Sequence, residues 1–154
     1  RPGHQRVVLD LISNIERHLS GGRECEPFVS PIDVYLPVQN EAGKDDTVVQ
    51  PDVVVVCDPS TVTDRGIVGV PEFVAEVLSD STAFPDFNDK KALYESVGVK
   101  EYWIINPGDG SVLAWRLEGG RFAPVREFRR GEQVESSTIE GFTWKFEERL
   151  RRST

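Results

Sequence analysis

The sequence predicts a single α/β (α+β) domain in which a mixed central β-sheet is flanked by helices. Three observations predict it: an amphipathic helix near the start of the chain, a series of short β-rich runs after it, and a second helical stretch between two strongly apolar runs. In residues 5–19, Val7, Val8, Leu11, Ile12, Ile15 and Leu19 recur at three- and four-residue intervals, giving one helix with one buried stripe that Gly21 and Gly22 end. Residues 32–38 alternate within a β-rich run. Residues 39–46 are polar and acidic with a central glycine, and read as a hairpin loop into a longer strand over residues 47–57. That strand is apolar on both faces after Pro51, as expected in the middle of a sheet covered on both sides. Residues 57–70 carry Pro, Asp, Ser and Gly and read as a loop, after which Pro71 introduces a short buried strand over 73–78. Residues 86–97 form the second helix, with Phe87, Lys90, Leu93, Tyr94 and Val97 on one face and Gly98 at its C-terminal cap. A strand over 102–106 stops at Pro107-Gly108-Asp109-Gly110, and residues 112–117 and 122–128 form an antiparallel hairpin turning at 118–121.

The 154 residues, 38% hydrophobic and 29% charged, have the composition of an ordinary globular domain. A chain of this length buries roughly 68–70% of its unfolded surface, so a core needs neither a disulfide nor a structural metal. No apolar run approaches the roughly 20 residues that cross a bilayer. No signal peptide follows Arg1, and the absence of a starting methionine predicts that further residues precede it. Cys25 and Cys57 lack a CxxC spacing and read as small core hydrophobes in a reducing, cytoplasmic setting. The net charge of −8 argues against a protein that coats nucleic acid by bulk electrostatics. The charge is uneven: residues 121–154 are net positive, so a polyanion would prefer that segment, although its arginines also read as a solvated face mixed with Glu.

Two carboxylates interrupt strands that otherwise read as buried, Asp52 after Pro51 and Glu76 in Phe73-Val74-Ala75-Glu76-Val77-Leu78. An ionised carboxylate in an apolar setting needs a partner, a proton or a metal. Two on neighbouring strands repel each other unless a cation sits between them, and a divalent metal answers both demands. Singly, Asp52 reads equally as a turn-capping residue and Glu76 as half of a salt bridge. Lys90 lies on the apolar face of the second helix and is expected to point inward; the competing reading is a lysine with its stem buried and its head in water. Lys91, a further 100° round the helix, reads as a surface lysine. Asp58, Asp80 and Asp86 read as loop and cap residues, with Asp86 placed to N-cap the helix of Lys90.

Pro51-Asp52, then Glu76-Val77-Leu78-Ser79, then Asp86 with Lys90 and Tyr94, then Gly98-Val99-Lys100-Glu101-Tyr102-Trp103, resemble in order and spacing the Uma-type restriction endonucleases of the PD-(D/E)xK nuclease superfamily, over roughly residues 4–148. The resemblance implies a restriction endonuclease-like core, with Asp52, Glu76 and the backbone carbonyl of Val77 as ligands of Mg²⁺ or Mn²⁺ and Lys90 as the active-site lysine. The usual superfamily lysine lies two residues after the acid on the same strand; that position is Leu78 here, and Lys90 replaces it from the following helix. His4 matches a histidine of the family, which implies a metal or phosphate contact, with a hydrogen bond at the helix start as the alternative. The family also has a strand pair with an acidic residue ahead of this helix, so the chain is expected to lack an N-terminal segment. The implied function is a metal-dependent DNA endonuclease hydrolysing phosphodiester bonds, with DNA as substrate, no membrane, and a homodimer on family grounds. The alternative is a non-catalytic metal-binding interaction or regulatory module built on a nuclease fold.

Overall fold

The structure, a computed structural model, describes residues 2–22, 24–44, 46–79 and 84–151, with backbone alone at 84–86. Helix α1 (Pro2–Leu19) buries Val7, Leu11, Ile15 and Leu19, the stripe its periodicity predicts. The strands β1 (Glu26–Val29), β2 (Val34–Leu36), β3 (Thr47–Val49) and β4 (Val53–Val56) follow, then a 3₁₀ turn over Pro59–Thr61. Next come β5 (Val62–Thr63), β6 (Gly66–Val68), β7 (Phe73–Val77), helix α2 (Phe84–Val97) and β8 (Glu101–Asn106). The chain continues with β9 (Ser111–Glu118), β10 (Arg121–Phe122), β11 (Arg126–Phe128), β12 (Gln133–Glu135) and β13 (Thr143–Lys145), and a 3₁₀ turn over Glu148–Leu150.

The central sheet has seven strands in the order β1-β4-β7-β8-β9-β10, with β11 also on β9. It is mixed: β7 and β8 run parallel, joined by α2 as the crossover, while β4 pairs antiparallel with both β1 and β7. Side chains alternate between its faces. Val53, Val55, Phe73, Ala75, Val77, Trp103 and Ile105 meet α1 and the C-terminal hairpin. Val54, Val56, Val74, Tyr102 and Ile104 meet α2 and a second sheet of order β3-β2-β6-β5. The all-buried β4 and β7 thus bear out the reading of strands covered on both sides.

Four expectations are corrected. The strand over residues 47–57 is two strands in different sheets, because Pro51 offers no N–H to a ladder and the chain turns there from β3 into β4. The loop over 57–70 contains the 3₁₀ turn, whose N-cap is Asp58 accepting from the Ser60 amide, and the β5–β6 hairpin, too short to show a period. Helix α2 starts at Phe84, so Asp86 lies inside its first turn and not at the cap; Asp80 lies outside the described residues. Cys25 and Cys57 are not free core thiols but a disulfide. The β1–β4 register sets Glu26 opposite Val56, which brings the next pair outward, Cys25 and Cys57, face to face with Cα atoms 4.0 Å apart. The bond removes the argument for a reducing compartment. Among the described residues no helix is long and apolar enough to cross a membrane.

Besides β5 and β6, three strands were not foreseen: β1, which carries Pro27 and forms one edge of the central sheet, and the β12–β13 pair, with one buried residue each. The C-terminal hairpin is held by a buried acid. Glu101, fully buried, accepts from Trp103 Nε1 (2.9 Å), Ser136 Oγ (2.6 Å) and the amides of Ser137 (3.2 Å) and Thr138 (3.1 Å). Helix α1 makes a second tie, Asp10 accepting from Trp144 Nε1 at 2.9 Å and pairing with Arg149.

Glu101→Ala strands four donors inside the protein and is expected to cost about 3–5 kcal/mol, read from denaturant unfolding. The Cys25→Ser/Cys57→Ser pair, which opens a loop spanning 32 positions, is expected to lose about 3–4 kcal/mol, and wild type in dithiothreitol should show a matching fall in melting temperature.

Candidate active site

The β4–β7 register pairs Val53 with Ala75, so its continuation sets Asp52 opposite Glu76 at one end of the sheet. Asp52 is the turn residue after Pro51, and its carbonyl accepts from the Ser30 amide at 3.0 Å, continuing the β1–β4 ladder. Its carboxylate reaches across to β7, where Oδ2 accepts from the Val77 amide at 2.7 Å. From the other side the start of α1 brings His4 Nε2 to 3.2 Å from the same Oδ2. This hydrogen bond to Asp52 raises the His4 pKa, against the opposing effect of burial.

Glu76 shares the α2 side of β7 with Val74 and Leu78 and is 4% exposed. Lys90, at the middle of α2, places Nζ 2.9 Å from Glu76 Oε2. The head of Lys90 pairs inward, as the first reading expects and unlike a head held in water, with the side chain as a whole 39% exposed. Burial pushes the Glu76 carboxyl up to about 7, with Lys90 pulling the other way and Asp52 adding to the rise. Glu76 Oε1 is buried and, among the described residues, has no hydrogen-bond partner. Lys91 points elsewhere, its Nζ 5.3 Å from the centre of the Trp115 ring.

The structure thus brings together Asp52, Glu76, Lys90, His4 and the backbone of Val77, the residues singled out from the sequence. Two neighbours were named in the sequence without a role at the site. Tyr94 and Tyr102 are fully buried against each other on the same face, and their hydroxyls, like Glu76 Oε1, find no partner among the described residues. Tyr94 lies one helical turn from Lys90, a spacing that signals a shared site. Among the described residues no three His, Cys, Asp or Glu side chains gather as a metal cage. An ion such as Mg²⁺, which keeps several waters and takes one or two carboxylates, does not require one. The donor set of two carboxylates, one with an unpartnered buried oxygen, fits such a cation.

A mixed sheet with two acids at the end of paired strands, and a crossover helix returning a lysine to one of them, defines a restriction endonuclease-like domain. The chain belongs to the Uma2 family, described as putative restriction endonuclease, whose model matches residues 1–147. The fold is similar to the crystal structure of a putative nuclease belonging to DUF820 from Anabaena variabilis ATCC 29413. The two align with a TM-score of 0.70 at 16% identity, over 90% of this chain and 74% of that one. A cryo-EM structure of a DrdV–DNA complex aligns with 79% of this chain and 12% of that one at 12% identity; its TM-score of 0.35 is too low to bear on the fold. No curated protein matches the chain. Family membership supports a nuclease role.

Lys90→Ala leaves Glu76 buried without its cation. Because that carboxyl takes a proton near neutral pH, the loss is expected to stay at about 1–2 kcal/mol at pH 7. Lys91→Ala, which gives up only a half-buried ring contact, should change unfolding by less than about 1 kcal/mol.

Proposed function

We propose that the chain is a metal-dependent endodeoxyribonuclease that hydrolyses phosphodiester bonds, with Asp52 and Glu76 holding Mg²⁺ or Mn²⁺ and the Val77 carbonyl as a further ligand. The observation that carries this reading is the return of Lys90 from α2 to Glu76, 2.9 Å away, across from Asp52. A structural salt bridge would not need a second acid on the facing strand.

When bound, the divalent ion polarises the scissile phosphate and lowers the pKa of a water. The chain's own residues do the rest. The Val77 amide and His4 both hold Asp52 Oδ2, fixing that carboxylate before any ligand arrives. Lys90 has three N–H donors and gives one to Glu76, leaving two for a non-bridging phosphate oxygen and for the attacking water. Its partial exposure gives a substrate access to it.

Charge at the same end of the sheet supports an anionic polymer as substrate. Pairing runs Glu76 to Ile104, Ile104 to Leu113 and Leu113 to Glu127, so the exposed Arg129, and Arg130 in its pair with Glu148, follow β11 two and three residues past the level of the two acids. Three strand spacings separate them from β7, about 14 Å. Cleavage of both strands of a duplex takes two such sites, which a homodimer supplies.

The test is nicking of supercoiled plasmid, with single-stranded oligonucleotides alongside. Nicking in Mg²⁺ or Mn²⁺ is expected, with none in EDTA and a loss of at least about 100-fold in Glu76→Ala and Lys90→Ala. A Mn²⁺-induced rise in melting temperature without cleavage of any substrate would favour the non-catalytic metal-binding module, a reading the net charge of −8 keeps in view.

A further inference from the structure

Three buried side-chain oxygens on the α2 face of the central sheet lack a partner among the described residues: Glu76 Oε1, the Tyr94 hydroxyl and the Tyr102 hydroxyl. The fold places all three side chains together. In the β7–β8 register Val74 faces Tyr102 and Glu76 faces Ile104, so Tyr102 lies on the Glu76 side of the sheet, one pleat away on the next strand. Tyr94, one turn along α2 from Lys90, sets its ring 5.0 Å from that of Tyr102, tilted at 60°. Burial first, and the negative charge of Glu76 next, keep both phenols protonated, so both hydroxyls lie within the field of that carboxylate. Neither tyrosine has any exposed surface, and Glu76 has 4%.

Native interiors seldom leave one such group unpaired, and three together mark a place where a small polar molecule is held. A buried water needs two to four polar partners, and these oxygens supply three. Ion pairing does not explain the tyrosines, and packing alone would be served as well by phenylalanine.

We propose that Tyr94 and Tyr102 are positioning residues, sharing one buried water with Glu76 Oε1 and thereby fixing the Glu76 carboxylate. With both phenols donating to the water, its own O–H turns to one lone pair of Glu76 Oε1 and leaves the other lone pair for a cation, while Lys90 holds the other carboxylate oxygen. The carboxylate is then oriented from both sides before it meets a cation. The consequence for metal affinity rests on the proposed role of Glu76 as a ligand; the water bridge does not.

The experiment is thermal unfolding of metal-free protein for Tyr94→Phe and Tyr102→Phe, each in the wild-type and in the Glu76→Leu background. Removing a truly unsatisfied hydroxyl raises the melting temperature, whereas removing a donor to the bridge lowers it. Each Phe variant is expected to lose about 3 °C in wild type and to lose nothing, or gain, in Glu76→Leu. A rise in wild type, or equal losses in both backgrounds, overturns the proposal. Should Glu76→Leu fail to fold, a high-resolution crystal structure decides: a water within about 3.2 Å of all three oxygens is expected, and its absence overturns the bridge. Calorimetry with Mn²⁺ gives the second reading, an expected weakening of about 10-fold in each Phe variant. Unchanged Mn²⁺ affinity in both would overturn the positioning role. A wild type that binds no Mn²⁺ would instead sink the metal-ligand reading of Glu76 and leave the unfolding test of the bridge standing.

Discussion

The antiparallel pairing of β4 with β7 sets the terms for the working end of the molecule. Both strands are covered on both faces, so any polar side chain they carry is desolvated, and their register brings Asp52 opposite Glu76. Two like charges in that setting cost several kcal/mol unless something offsets them. The fold responds with unequal partners. Asp52 sits at the strand's start and keeps some contact with water, the Val77 amide and His4, while Glu76 lies deeper and depends on Lys90. The parallel β7–β8 connection requires a crossover, and that crossover is the helix that carries the lysine.

A comparison within the same molecule shows what distinguishes the site. Glu101 is as deeply buried as Glu76, yet its two oxygens receive four hydrogen bonds, two from side chains and two from backbone amides. It needs nothing further, and its work is to fasten the loop before β13 to the sheet. Glu76 receives its one side-chain hydrogen bond from Lys90, among the described residues, and its Oε1 has no partner there. Burial and acidity are common to both; the number of donors separates a fastening from a binding group.

Much of this was legible in the residues. The stripe of α1, the apolar runs of β4 and β7, the face of α2 and the hairpin from β9 to β10 each carry a period or a turn signal strong enough to survive tertiary context. Asp52, Glu76 and Lys90 stood out because each breaks such a pattern. What was missed lacks a period: β1, β12 and β13 have three or four residues, and β1 pairs with β4 rather than with a neighbour in the chain. The disulfide was missed for a similar reason. Cys25 and Cys57 become neighbours only through the β1–β4 register, which no local spacing reveals. Glu101 reads in sequence as an ordinary strand-start acid, since its four donors come from Trp103 and from a loop some thirty-five positions further on.

The edge strand β1 has a bearing on assembly. Ser30 donates to the Asp52 carbonyl, so the even-numbered residues of this segment turn their amides toward β4 and the odd-numbered ones toward open space. Two of those odd positions are Pro27 and Pro31, which have no N–H to offer. Of the outward positions from 27 to 31 only Val29 retains a donor, too few to template another strand. The sheet is capped there by composition, in the way a zip is stopped by a missing tooth. Copies of this chain that associate are therefore directed away from this edge, and the central sheet is protected from growing into a fibre along it.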